Sequence, residues 1–383
     1  MIENKIHVGI DATNLRQGGG ITHIVEILRN FDIQDSPIQQ VTIWCDASLA
    51  KYFPRKKWIV VQSNALIDGN RIVRFFWQQL LMSKAMLAKG CDIGFFPGGI
   101  VPMINRIPAV TMSQNMLPFD LSHAYLFGAF NLMFWKLFIL RWLQIISFRR
   151  ANGLIFLSQY AKFKVNKLID IDHQVLIPHG VDNRFFKPPA MQKNINQYSF
   201  ERPYEFIYVS ILMPYKHQIE VAKAICFLRN EGFPVACKFI GPSWGWYGKK
   251  FKKEIVSLNP EGNFLHYLGE IDYEKLESSY HEADAFIFAS SCENLPNILI
   301  EAMSSGLPVA CSYHDPMPEV LGDAGFYFNP SNPISIYEAM KAMILSPNER
   351  TNRTRSASDK SLKYSWNVCS EKTFAFIVST LRR

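Results

Sequence analysis

Short apolar runs alternate with stretches of helical spacing along this chain, and the alternation occurs twice. Ile6–Ile10, Val41–Cys45, Ile59–Val61, Ile93–Phe96, Ala109–Met112, Leu154–Leu157 and Val175–Ile177 predict strands in the first half. Phe206–Val209, Val235–Ile240, Phe264–Leu268, Ala285–Ala289, Pro308–Cys311 and Gly325–Phe328 predict them in the second. Helices are expected over 21–29, 218–229, 273–281 and 366–381. Runs that are apolar throughout belong to strands covered on both faces. The pattern therefore predicts an α/β protein with two mostly parallel sheets, each sandwiched by helices. We place a first domain at 1–185 and a second at 203–365. Between them, 186–202 reads as a linker, with Pro188, Pro189 and an Asn/Gln-rich run. The last helix, 366–383, has no strand after it and is expected to return to the first domain.

The 383 residues are 48% apolar and 14% aromatic, enough for two cores and unlike a disordered chain. Seven cysteines, scattered and without Cys-x-x-Cys, point away from a disulfide framework or zinc site and toward a reducing compartment. The first residues show no apolar signal core, so a cytoplasmic protein is expected. The net charge of +8 is uneven. From Leu121 to Ile169 there is no acid, while Lys136, Arg141, Arg149, Arg150, Lys162, Lys164 and Lys167 supply seven positive charges among many aromatics. The uncharged run there is shorter than the roughly 20 residues a spanning helix needs. Two readings remain: a helix lying on an anionic membrane surface through 121–169, peripheral on the cytoplasmic face, or a core helix with solvated basic ends. No motif points to nucleic acid.

Glu293 and Glu301 carry the strongest chemical signal. Glu293 lies in a polar loop after the Ala285–Ala289 run, and Glu301 lies in a helix that Pro296 can open and Gly306 can close. A strand–loop–helix corner presents N–H groups and a positive helix end to a diphosphate. Carboxylates beside such a site suit vicinal hydroxyls, because an ionised carboxylate only accepts hydrogen bonds. A sugar nucleotide offers both diphosphate and diols.

The segment Glu293-x(7)-Glu301, continued by Ala302-Met-Ser-Ser-Gly-Leu-Pro-Val-Ala310, resembles the signature of family 4 glycosyltransferases of the GT-B fold. Gly9-Ile-Asp-Ala-Thr13 with Gly18-Gly19-Gly20, Ile177-Pro-His-Gly-Val-Asp182 and Tyr364-Ser-Trp366 resemble other segments of that family, so the likeness extends along nearly the whole chain. It implies two Rossmann-like domains facing across a cleft. It also implies retaining transfer of a sugar from a nucleotide-diphosphate donor, with no required cofactor or metal. By the same resemblance, Lys216 would neutralise the diphosphate and Glu293 would hold the transferred sugar. Asn294, Leu295 and Asn297 would line sugar and phosphates, Glu301 would take the ribose, and Gly19 and Gly20 would approach the donor. The style of the sequence resembles bacterial lipopolysaccharide and surface-polysaccharide enzymes, which implies a glycan acceptor, lipid-linked by preference.

Two departures stand out. The family arginine five or six residues before the lysine is replaced by Ile211 or Ser210. The family's His-Asp after a first-domain strand is replaced by Gln114-Asn115, which can orient hydroxyls but cannot act as a base at neutral pH. His179 is a further candidate at the acceptor side. The alternatives are a sugar-nucleotide epimerase of the same fold and a catalytically silent glycan- or nucleotide-binding module. Asp170-Ile-Asp172 could imitate a metal-binding pair, but it precedes a strand away from both phosphate corners.

Overall fold

The computed structural model describes residues 5–15, 19–34, 36–128 and 132–383. The chain divides into two units. One comprises 1–121, 132–180 and 364–383, and the other 122–131 and 181–363.

The first unit is built on a parallel sheet of seven strands: β1 (Ile6–Asp11), β2 (Ile38–Trp44), β3 (Ile59–Gln62), β4 (Ile93–Phe96), β5 (Ala109–Ser113), β6 (Gly153–Phe156) and β7 (Gln174–Leu176). Their spatial order is β3-β2-β1-β4-β5-β6-β7. The central strands are buried along their whole length, which is why they read as unbroken apolar runs. Crossovers in such a sheet are right-handed. The connections β3→β4 and β5→β6 run in the same direction along the strand order. Their helices, Arg71–Ala88 and Leu132–Arg150, therefore share one face. Gly19–Arg29 connects β1 to β2 in the opposite direction and lies on the other face, where Trp366–Leu381 packs against it. Gly180 marks the end of this unit's main stretch. A β-carbon there would stand 2.2 Å from the Trp366 nitrogen, so only glycine admits the returning helix.

The second unit contains β8 (Tyr204–Val209), β9 (Val235–Ile240), β10 (Leu265–Gly269), β11 (Ala285–Phe288), β12 (Val309–Ser312) and β13 (Gly325–Phe328). All neighbours are parallel, in the order β10-β9-β8-β11-β12-β13. The order reverses between β8 and β11. Loops leaving the carboxyl ends of those two strands diverge to opposite faces and leave a crevice where ligands of such sheets bind.

The unit boundaries differ from the expected ones. The change falls between Gly180 and Val181 and again between Lys363 and Tyr364, and 122–131 joins the second unit. The stretch 186–202, read as a linker, is fastened to the second unit. Arg350 is fully buried and donates from Nε to Gln192 Oε1 (3.3 Å) and from a terminal nitrogen to the Lys193 carbonyl. Tyr198 donates to Asp284 at 2.7 Å, and the Lys187 N–H to the Ser304 carbonyl at 2.9 Å. A polar, proline-containing composition looks like a tether, but a buried guanidinium needs acceptors, and this segment provides them.

Candidate functional site

Two loops leave the switch point of the second unit. The β8 loop ends in a tight turn, Pro214–Lys216, before the helix Gln218–Asn230. The β11 loop carries Ser291 and Glu293 into the helix Asn297–Ser304. They are fastened to each other. The Ser291 N–H and hydroxyl both donate to the Tyr215 carbonyl (2.9 and 3.2 Å), and the buried Tyr208 hydroxyl donates to the Lys216 carbonyl. On this frame Lys216, 6% exposed, forms an ion pair with Glu293, its ammonium 5.2 Å from the Phe288 ring centroid. Residues 77 apart in sequence thus share one charged point at the crevice.

Glu301 occupies the second turn of the Asn297–Ser304 helix, buried and away from the Lys216 pair's direct bonds. Tyr280 donates to its Oε2 (3.1 Å) and Tyr273 to its Oε1 (3.4 Å). The Arg184 guanidinium stacks over Tyr273 at 4.1 Å. Burial pushes the Glu301 carboxyl up to about 7, opposed by the two tyrosine hydroxyls and by Arg184. Near neutrality the group is therefore poised between its two forms. Gly306 ends this helix at φ +65°, and a β-carbon there would lie 2.6 Å from the Lys187 carbonyl oxygen. Asn294 and Leu295 are buried in the intervening loop, and Asn297 opens the helix, whose first-turn N–H groups have no preceding helical acceptors.

The remaining expected site residues lie in the first unit. Gly19 and Gly20 start the helix Gly19–Arg29, and Gly18 lies outside the described residues. Gly20 and Gln114 are neighbours: a β-carbon on Gly20 would be 3.2 Å from Gln114 Oε1. Asn115 accepts from the Leu117 N–H at 3.1 Å, a local turn. His179 is a core residue, stacked at 4.5 Å on His23 and at 5.6 Å on Trp366. Its ring packs the returning helix, which accounts for its position without a ligand. Asp46, two residues after the end of β2, caps a 3-10 turn by accepting from the Ser48 N–H and pairs with buried Arg74 at 3.4 Å. Among the described residues, no group of three His, Cys, Asp or Glu side chains is arranged to hold a metal. Sequence reasoning did not single out Tyr273, Tyr280, Arg184 or Ser291. Only the helix spacing of Tyr273 and Tyr280 hinted that both face one direction.

Residues 191–360 match the family model described as Glycosyl transferases group 1. That match spans somewhat less than half of the chain. The matched residues contain Lys216, Glu293 and Glu301 together. Relatives agree in kind. The O-antigen chain mannosyltransferase B of Escherichia coli is 29% identical over 120 residues, 31% of this chain and 32% of that protein. The sulfoquinovosyl transferase SQD2 of Arabidopsis thaliana is 27% identical over 205 residues, 50% of this chain and 37% of its own. The chain thus spans about a third of the length of these curated relatives. In fold, the Anabaena protein Alr3699/HepE, solved in complex with UDP, matches with a TM-score of 0.70 at 16% identity, covering 98% of this chain and 99% of its own. The two parallel α/β sheets and the likeness to this structure show a fold of GT-B type.

Proposed function

We propose that the protein is a retaining glycosyltransferase that moves a sugar from a nucleotide diphosphate to a glycan acceptor, lipid-linked, in cell-surface polysaccharide or lipopolysaccharide assembly. The observation that carries this reading is the meeting of Lys216 and Glu293 at the β8/β11 switch point, one short helix away from Glu301. The UDP bound by the structural relative and the sugar-transferring names of the sequence relatives support it.

In this reading the donor's diphosphate takes Lys216 from its pair with Glu293 and sits before the first turn of the Asn297–Ser304 helix. Glu293 then accepts from hydroxyls of the transferred sugar, with Asn294, Leu295 and Asn297 around it. Glu301 accepts from the ribose hydroxyls. The bond from the anomeric carbon to the diphosphate oxygen breaks, and the electron pair leaves with the diphosphate. Lys216 and the helix N–H groups stabilise that charge as it develops. The acceptor hydroxyl attacks the same face and passes its proton to a phosphate oxygen of the donor, so no protein base is needed. Gly19, Gly20, Gln114 and Asn115 then serve the donor and acceptor as close-packing and orienting groups.

The first unit's surface supports the lipid-linked acceptor. On the Leu132–Arg150 helix, Leu137, Gln144, Ile145 and Phe148 are buried, whereas Trp135, Phe138, Ile139, Trp142 and Ile146 form an exposed stripe. The covered side agrees with a core helix, and the exposed stripe supports the reading of a membrane-surface helix. The helix Arg71–Ala88 on the same face exposes Ile72, Phe76 and Leu80 and contains no acid. The two are joined through the turn at Met103, whose N–H donates to Gln79 Oε1 (3.1 Å) and whose carbonyl accepts from Arg150. No helix among the described residues is long and apolar enough to cross a membrane. An apolar stripe with basic ends suits the interface of an anionic bilayer on the cytoplasmic side, where a lipid-linked acceptor would stand.

The test is to incubate the purified protein with UDP-, GDP- and dTDP-sugars and a lipid extract, and to follow sugar transfer and the anomeric linkage. Transfer with retention supports the reading. An epimerised donor with no transferred sugar, or binding without turnover, overturns it.

A further inference from the structure

Asp11 ends β1 with its carboxylate buried, 4% exposed. Its Oδ1 accepts from the Thr13 N–H (3.0 Å) and the Thr13 hydroxyl (2.6 Å), and its Oδ2 accepts from the Gln78 side-chain amide. Burial pushes the Asp11 carboxyl up, and the Thr13 and Gln78 donors draw it back. Gln78 Oε1 accepts in turn from Asn14 Nδ2 (2.6 Å) and from Gln79 Nε2 (3.3 Å). One turn earlier on the helix Arg71–Ala88, buried Arg74 donates to the Thr13 carbonyl at 3.4 Å. The inner side of that helix thus grips the turn after β1 at both Thr13 and Asn14.

The turn leads to the glycines. Leu15 closes it by donating its N–H to the Ala12 carbonyl at 3.2 Å. A β-carbon on Gly20 would stand 3.0 Å from Leu15 Cδ2 and 3.2 Å from Gln114 Oε1, so Leu15, Gly20 and Gln114 share one contact. Stability alone does not call for the network. Apolar side chains of the same volume would fill a strand end at least as well, because a buried acid and amides lose water that their mutual bonds only replace. What a satisfied network adds is a single course for the backbone, since each donor has a definite acceptor to meet.

We propose that Asp11 and Gln78 are positioning residues for sugar transfer: their bond fixes the turn Thr13–Leu15 and, through Leu15, the placement of Gly20 and Gln114. The proposal rests on the transferase reading above. The helix that supplies Gln78 also exposes Ile72, Phe76 and Leu80. One element therefore both holds the turn and presents the face assigned to the bilayer.

The bond can be reversed with little change of shape. Asp11→Asn faces the Gln78 amide with another amide, so either two donors meet or Gln78 turns over and Asn14 loses its acceptor. Gln78→Glu sets two carboxyls against each other. Asp11→Asn combined with Gln78→Glu restores a donor opposite an acceptor and still offers oxygen to Asn14 and Gln79. The experiment measures kcat and donor KM for transfer from UDP-, GDP- and dTDP-sugars to a lipid extract, with nucleotide affinity by calorimetry and a thermal melt. Each single variant is expected to lower kcat per folded molecule about tenfold and to keep nucleotide affinity within about twofold, because Lys216, Glu293 and Glu301 lie in the second unit. The double variant is expected to recover to within about threefold, a coupling that independent substitutions would not give. Asn14→Ala, at the exposed end of the network, serves where a single variant fails to fold. Its kcat is expected to fall about fivefold with an unchanged melt. An unchanged kcat in Asn14→Ala and in every single variant that folds, or no recovery in the double variant, overturns the proposal. No transfer by the unsubstituted protein from any donor overturns the transferase reading beneath it.

Discussion

The two units share a plan and use it oppositely. Both are parallel sheets with long apolar strands, but the carboxyl ends of the second unit's central strands hold an assembled charged site, Lys216 with Glu293 and Glu301 with its tyrosines. The corresponding loops of the first unit present Gly20, Gln114 and Asn115, which are uncharged. What the first unit has instead is an apolar, basic outer face on two neighbouring helices. The contrast teaches that sheet topology determines where a ligand can sit, while the loop residues determine whether the place is charged.

The sharpest way to break this comparison is at Lys216. Lys216→Ala is expected to lower sugar transfer by about 10²–10³-fold, because the leaving diphosphate loses its cation. The check is steady-state transfer rate with a thermal melt to show that the fold survives. A loss below tenfold would put the charge compensation elsewhere.

Glu301→Gln should weaken nucleotide binding by about tenfold, read by calorimetry with the preferred nucleotide. It should also alter stability in a definite direction. The Glu301 carboxyl sits at about 7 when folded against 4.5 unfolded. The folded state therefore holds more protons between those values, and stability falls as pH rises through them. Replacing the carboxyl with an amide should remove about 2–3 kcal/mol of that fall, visible as a flatter dependence of the urea midpoint from pH 4.5 to 7.5.

On the first unit, Trp135→Ser with Trp142→Ser should reduce binding to anionic vesicles about tenfold, with raised salt weakening the unsubstituted protein as well. Equal binding to neutral and anionic vesicles would remove the proposed role of that face. The smallest effect is expected at Gln114→Ala, about three- to tenfold in transfer rate, the loss of one neutral hydrogen bond. A loss as large as that at Lys216 would show that the first unit contributes as much to the chemistry as the second.

Most strands and the principal helices were legible because local hydrogen bonding imposes its period on the residues that satisfy it. Val235–Ile240 and Gly325–Phe328 are read and observed with the same ends. The corner at Glu293 and Glu301 was legible for a related reason: strand, loop and helix are consecutive. Less could be read where partners come from afar. His179 looked like a cleft residue because its turn is polar, yet stacking on His23 and Trp366 consumes the ring. The stretch 186–202 looked like a tether because Arg350, which it serves, lies about 160 residues away.

By itself, then, the sequence determined the two α/β sheets, the order of their strands along the chain and the acidic corner. Each of these follows from neighbours in the chain. Tertiary structure alone decided that Glu301 is buried among Tyr273, Tyr280 and Arg184 and so titrates near neutrality. It alone decided that Phe127, between strands of the first unit in sequence, packs with the second against Tyr215 of the lysine turn, and which side of Leu132–Arg150 is covered. Burial and charge proximity depend on what the rest of the chain brings to a residue. No local period encodes that.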